Sequence, residues 1–226
     1  MSTAALAEPQ PGRAEAPRSR VEEQFDDSGQ QRDAMTLGMW IFLTTETLFF
    51  GALFFAYAIA RIHLPDAFAA ASRHTNVVLG TLNTAVLLTS SFCMAQAAET
   101  TKHGTRRRAA TWLAATALLG VAFAAIKLTE YGLEYDEHLV PLLGFAFDPR
   151  YALGAHVFFG FYFAMTGLHL VHLTIGIAIV TVFAWRVARA AERALSSQVE
   201  VAALYWHFVD IVWIFLYPCL YLVSRA

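Results

Sequence analysis

Apolar residues in this chain fall into five long runs, at about residues 35–60, 76–98, 109–130, 151–185 and 201–223. A helix rising ~1.5 Å per residue needs ~20 apolar residues to cross a hydrocarbon core ~30 Å thick. Each run meets that length, so the pattern predicts five transmembrane helices. The fourth, Tyr151 to Trp185, carries no Asp, Glu, Lys or Arg and is bracketed by Arg150 and Arg186. As a helix it extends ~50 Å, so it must tilt or pass beyond one interface. Wrapped at 3.6 residues per turn, it presents two unlike stripes. Gly160, Ala164, Gly167, Thr174 and Ala178 form a small-residue stripe that lets a neighbouring helix approach closely. Tyr162, Met165, His169, His172 and Gly176 form another, with two imidazoles three residues apart. A lipid-facing helix has no use for two imidazoles, so this helix belongs in the interior.

The polar positions between and within the other runs refine this reading. The first run is broken only by Glu46 and ends at Arg61; a short loop through Pro65, Asp66, Arg73 and His74 follows. The second carries Thr81, Asn83, Thr84, Ser90 and Ser91, residues suited to hydrogen bonding between helices. The third holds Lys127 near its end, where a long side chain can snorkel to the interface. An acidic loop from Tyr131 to Arg150 precedes the fourth run. Residues 1–33 are polar, without the apolar segment of a signal peptide, and read as a flexible tail. No internal repeat is visible.

Composition supports the membrane assignment. Hydrophobic residues make up 57% and charged residues 15% of the 226, against ~25% charged in soluble domains. A net charge of −2 gives no bulk electrostatic case for nucleic acid. Cys93 and Cys219 both lie in apolar runs and read as small buried hydrophobes. Charge also predicts orientation. With the N-terminus inside, the inner segments hold 11 Lys and Arg and the outer ones 4. The expected fold is an all-α, integral membrane five-helix bundle, residues 34–226, with a cytoplasmic N-terminus and a periplasmic C-terminus.

Ionisable residues at depth are the candidates for function. Glu46 lies near mid-bilayer, where a carboxyl costs roughly 2.5–3.5 kcal/mol and must be neutral, hydrogen-bonded or in a wet cavity. It either bonds a neighbouring helix or does proton-related work. His169 and His172 lie close to the same depth. An HxxH pair can bind metal, but tight sites recruit three or four ligands, and a six-coordinate haem takes axial ligands from opposite sides. Neutral imidazoles donating to carbonyls or to Glu46 are the preferred reading. In the fifth run His207 and Asp210 share a face and can share a proton, while Trp206 and Trp213 mark another face. Nothing in register supplies a nucleophile, and no phosphate loop, zinc-protease helix or dinucleotide fingerprint is present. Three classes remain: a non-catalytic subunit of a larger complex, a proton- or ion-coupled transporter, and a membrane haem protein. Paired Gly/Pro-broken segments, the mark of many secondary transporters, are missing.

The five runs also resemble, in order, the cytochrome c oxidase subunit III family of haem–copper oxidases. YWHFVDIVWIFLYPCLYL, Tyr205 to Leu222, is similar to that family's closing helix and is the most specific segment. GMWIFLTTETLFFGALFFAY, Gly38 to Tyr57, resembles the helix that holds the family's intramembrane glutamate, here Glu46. LNTAVLLTSS, Leu82 to Ser91, resembles its Asn-Thr and serine pair, and TGLHLVHLTIG, Thr166 to Gly176, its two-histidine helix. In that helix His-Val is the commoner ending, where this chain has His172-Leu173. Glu130-Tyr131 resembles its Glu-Tyr.

The resemblance implies a multi-pass protein of the bacterial inner membrane with no haem, copper or chemistry of its own. Haem and copper would lie in the catalytic subunit, subunit I, against which this chain and other oxidase subunits pack. The family role is to sustain proton uptake there and to hold phospholipid in a cleft. The depth of the ionisable residues and the resemblance together single out Glu46, His169, His172, His207 and Asp210 for polar, lipid or proton-related work. Asn83, Gly160, Gly167, Trp206 and Trp213 are the expected packing positions. Longer members carry two further helices ahead of this bundle, which would form one wall of the lipid cleft. The Tyr217-Pro218 ending resembles shorter relatives associated with nitric oxide reductases, so an accessory subunit of such an enzyme is the alternative.

Overall fold

A computed structural model describes residues 28–141, 143–189 and 195–223. Six α-helices follow one another: α1 (Ser28–His63), α2 (Pro65–Ser72), α3 (Val77–Lys102), α4 (Arg106–Asp136), α5 (Ala152–Arg189) and α6 (Ser196–Tyr221). All but α2 are long and apolar enough to cross a membrane. Helix α5, at 38 residues, is the longest. Residues 1–27 of the expected tail lie outside the described residues, as do Arg193 and Arg225 of the charge count; residues 28–33 belong to α1.

Short connections make successive long helices antiparallel. Helices α1 and α6 therefore start, and α3 and α5 end, on one side, called proximal below; α2 and the α4–α5 loop lie on the other, distal side. The four helices α3 to α6 enclose the core. It is built from Leu87, Leu113, Phe123, Phe158, Met165, Trp206, Trp213 and Leu216 among others, all at 2% exposure or less. With apolar lipid outside, close packing and interhelical hydrogen bonds hold such a bundle, not release of water from apolar surface. Glycines set the approach distances. A Cβ on Gly120 would stand 2.8 Å from the Trp206 ring and 2.9 Å from Ile177. One on Gly176 would meet Trp206 at 3.1 Å.

Helix α1 leans on this core by a narrow seam. Its buried residues Leu43, Phe50 and Tyr57 recur every seven positions, the spacing of a helix that touches its partner along one line. Glu46 occupies the same seam three residues after Leu43, which aims its carboxyl at α5. Most of the rest of α1 is exposed, including Trp40, Leu48 and Phe55, with Met39, Leu53, Phe54 and Ala60 half-buried beside the seam.

The helix ends differ from the sequence reading. Helix α4 runs past Glu130 to Asp136, and α3 past Ala98 to Lys102, because a helix continues through the polar interface after its apolar run stops. The expected loop after α1 instead contains α2. Pro65 at its first position has the helical φ and lacks an amide hydrogen that would go unused there, and Asp66 complements the N-terminal dipole. Phe68, fully buried, packs on Tyr57 and Phe158 at centroid distances of 5.4 Å each. On the proximal side Arg106 donates to the terminal carbonyls of α5, through Nε to Val187 O at 2.8 Å and through Nη2 to Ala188 O. That contact satisfies carbonyls that have no partner within the helix and places positive charge at its negative end.

Candidate functional site

The α1 seam brings Glu46 to α5 at mid-helix. Glu46 Oε2 lies 3.1 Å from His172 Nε2. The other ring nitrogen, His172 Nδ1, is 2.8 Å from Leu168 O, a carbonyl that can only accept, so Nδ1 carries a proton. Glu46 and His172 then share one further proton across their 3.1 Å contact, on either the carboxyl or the imidazole. Tyr205 OH donates to His172 O at 2.9 Å, and Phe50 meets the imidazole edge-on at 5.3 Å. The pair is 19% and 16% exposed. It opens onto a groove of about 720 Å³ between α1, α5 and α6, lined by Met39, Phe42, Ile175, Ile179 and Phe183. An acid–base couple at the wall of an apolar groove can hold a proton at membrane depth or bind a polar group whose remainder is hydrocarbon.

His169 does not join it. One turn earlier on α5, it is 1% exposed, with its ring 5.6 Å from Phe123 and 5.2 Å from Trp213. Neither ring nitrogen has a hydrogen-bond partner. The expected donation to a carbonyl or to Glu46 therefore applies to His172 alone, since the two histidines, though three apart, point into different surroundings. The expected His207–Asp210 couple is also corrected. His207 Nδ1 bonds Ser91 Oγ at 2.8 Å across α3 and α6, and the buried Asp210 carboxyl lies beside the same serine with no hydrogen bond to His207 among the described residues. Asn83 is fully buried, and its amide has no partner either. Among the described residues no three His, Cys, Asp or Glu come together as a metal-holding group.

The packing positions divide. Trp206 fills the space left by Gly120 and Gly176, and Trp213 stacks edge-on with Phe123 at 4.8 Å while donating Nε1–H to Thr84 at 3.0 Å. Gly160 and Gly167 lie on an open stripe: a Cβ on Gly160 would meet nothing within 4 Å, and one on Gly167 only Tyr131 OH at 3.9 Å. Among the described residues they make no close helix contact; Gly120 and Gly176, on the inward faces, do.

Lys127 overturns its expected role most plainly. It does not snorkel; it is fully buried. Its ammonium donates to Glu130 Oε2 at 3.0 Å, Tyr162 OH at 2.6 Å and Tyr221 OH at 2.7 Å, and Tyr221 OH in turn donates to Glu130 Oε2 at 3.0 Å. Sequence reasoning missed this cluster, although Lys127 and Glu130 at i, i+3 and Tyr162 on the interior stripe of α5 were signals of it.

Fold and site together define a polytopic helical membrane protein with ionisable groups paired at depth. The family model for cytochrome c oxidase subunit III matches residues 23–225, so the chain belongs to that family. Cytochrome c oxidase subunit 3 of Thermostichus vulcanus is 31% identical over 202 residues, covering 88% of this chain and 92% of that protein. Quinol oxidase subunit 3 of Bacillus subtilis is 30% identical over 194 residues, covering 83% and 86%. Cytochrome c oxidase subunit 3 of Lycodon semicarinatus is 31% identical over 201 residues, covering 86% and 71%.

Proposed function

We propose that this chain is the non-catalytic subunit III of a haem–copper oxidase in a bacterial inner membrane, with its proximal side cytoplasmic. The observation that carries the reading is family membership extending across all five long helices. The chain holds neither haem nor copper and acts on a larger catalytic subunit, supporting its stability and its uptake of protons. The Glu46–His172 pair is the centre of that role. Its shared proton sits beside an apolar groove that suits a phospholipid chain, so lipid binding and proton-related work meet at one place. The relatives reported above are cytochrome c and quinol oxidases, which favours oxygen over nitric oxide as the partner's substrate. The open stripe of Gly160, Ala164 and Gly167 offers a close-approach surface to another subunit.

Co-purification tests the reading. An affinity tag on this chain should bring down a larger, many-helix subunit whose haem spectrum and turnover identify an oxygen reductase. Nitric oxide turnover by that partner would replace the oxidase with the alternative enzyme. A stoichiometric Soret band on the chain purified alone would overturn the non-catalytic assignment.

A further inference from the structure

Where α4, α5 and α6 converge in the distal half of the bundle, the buried cluster around Lys127 has more acceptors than donors. Lys127 contributes three protons, all committed: to Glu130 Oε2, Tyr162 OH and Tyr221 OH. Tyr221's hydroxyl proton goes to Glu130 Oε2, and Tyr162's single hydroxyl proton lies between Tyr221 OH, at 3.4 Å, and the Glu134 carboxyl beside it. Thr166 donates to Tyr162 O at 2.5 Å, so the 2.6 Å contact between Tyr131 OH and Thr166 Oγ1 takes Tyr131's proton too. Each amine and hydroxyl proton of the cluster is thus engaged, and Tyr162 can supply at most one to Glu134. Among the described residues Glu130 Oε1 and at least one oxygen of Glu134 therefore remain buried without a donor, on residues 1% and 4% exposed. Buried acceptors are almost always satisfied, and at this burial bulk water does not touch these oxygens.

We propose that Glu130 and Glu134 bind ordered water, held between Glu130 Oε1 and the Glu134 carboxyl at the distal end of the core. Spacing supports this ligand. Residues i and i+4 stand ~5–6 Å apart on a helix, about the span of two hydrogen bonds through one water. A buried water can donate two hydrogen bonds, one to Glu130 Oε1 and one to the Glu134 oxygen left without a donor. Entry is short, because Glu134 lies in the last turn of α4, next to exposed Tyr135, Asp136 and Glu137. A metal cation is the weaker fit, since no third His, Cys, Asp or Glu joins the two carboxyls among the described residues. The water completes the Lys127 network and keeps α4 in register with α5 and α6; it owes nothing to the partner subunit.

Radiolytic footprinting tests this on the full chain in lipid nanodiscs, because hydroxyl radicals formed at a bound water oxidise the side chains beside it. Tyr162 and Tyr221 should be oxidised several-fold faster than Phe158 and Phe159, which are equally buried in the same region. Glu134→Gln, still able to bind water, should keep that ratio, and Glu134→Leu should bring Tyr162 down to the level of the two phenylalanines. Wild-type Tyr162 labelling no faster than Phe158 would mean a dry site and end the proposal. Labelling that falls when rubidium replaces sodium in the buffer would assign the site to an alkali cation and also overturn it.

Discussion

At the scale of single residues, the chain spends its polar groups in pairs whose members depend on one another. Lys127 is the sharpest case. Removing one partner of a buried ion pair leaves the other charge uncompensated, at a cost of about 3–5 kcal/mol. Lys127→Met should lower stability by that amount in detergent unfolding, whereas Lys127→Met combined with Glu130→Gln should recover part of the loss; equal losses would mean that the pair is not coupled. Glu46 is different, being partly open to the groove. Glu46→Gln keeps a hydrogen bond to His172 but not the shared proton. The bundle should assemble normally, while lipid retention or the durability of turnover in the complex declines. Loss of all turnover from the first cycle would contradict its accessory role. Depth was legible in the sequence for Glu46, since position along an apolar run gives height in the membrane. Rotational neighbours were not. Lys127 read as a snorkelling residue because the apolar run stops near Glu130, but α4 continues to Asp136 and carries the lysine well inside.

Among the elements, helix number and order were legible because an apolar run needs no tertiary information. Helix α2 was not, since eight residues rich in alanine look the same in a loop as in a helix. Nor were the close approaches. The half-buried stripe of Gly160 and Gly167 leaves open space beside it, while Gly120, isolated in its sequence, and Gly176, on the interior stripe of α5, set the packing. Only the neighbouring helix distinguishes them. Helix ends provide a cleaner comparison. Helices α3 and α4 both close with the same pair of backbone bonds, Thr105 N to Thr100 O with Gly104 N to Thr101 O, and Leu139 N to Glu134 O with His138 N to Tyr135 O. The left-handed residue is Gly104 in the first, at φ 71°, and His138 in the second, at φ 57°. A side chain there costs about 1–2 kcal/mol, partly offset by the greater flexibility of glycine in the unfolded chain. His138→Gly should therefore raise stability by about 0.5–1 kcal/mol, because His138 is exposed and gives up no packing. A thermal midpoint unchanged or lowered in the variant would show that the histidine side chain has a stabilising contact of its own.

For the whole molecule, everything proposed about proton uptake depends on which side of the membrane each end of the bundle faces. The bundle fixes the relative placement: Arg106, Arg107 and Arg108 open α4 on the proximal side, and Asp136 and Glu137 close it on the distal side. Positive charge is retained on the cytoplasmic side when short loops are inserted, whereas acidic residues contribute little, so the proposed cytoplasmic side is the one with the arginine cluster. Both native cysteines can be removed first. Cys93 is a small buried residue suited to alanine, and Cys219 engages Tyr57 through its backbone oxygen, which serine retains. On that background Arg107→Cys and Glu137→Cys each introduce one thiol at an exposed position. A membrane-impermeant maleimide added to intact cells, with the outer membrane permeabilised, should label position 137 and leave 107 untouched; inverted vesicles should reverse the pattern. Labelling of position 107 from the periplasm would invert the bundle, place the Lys127 cluster in the cytoplasmic half, and overturn the proposal that the proximal side is cytoplasmic.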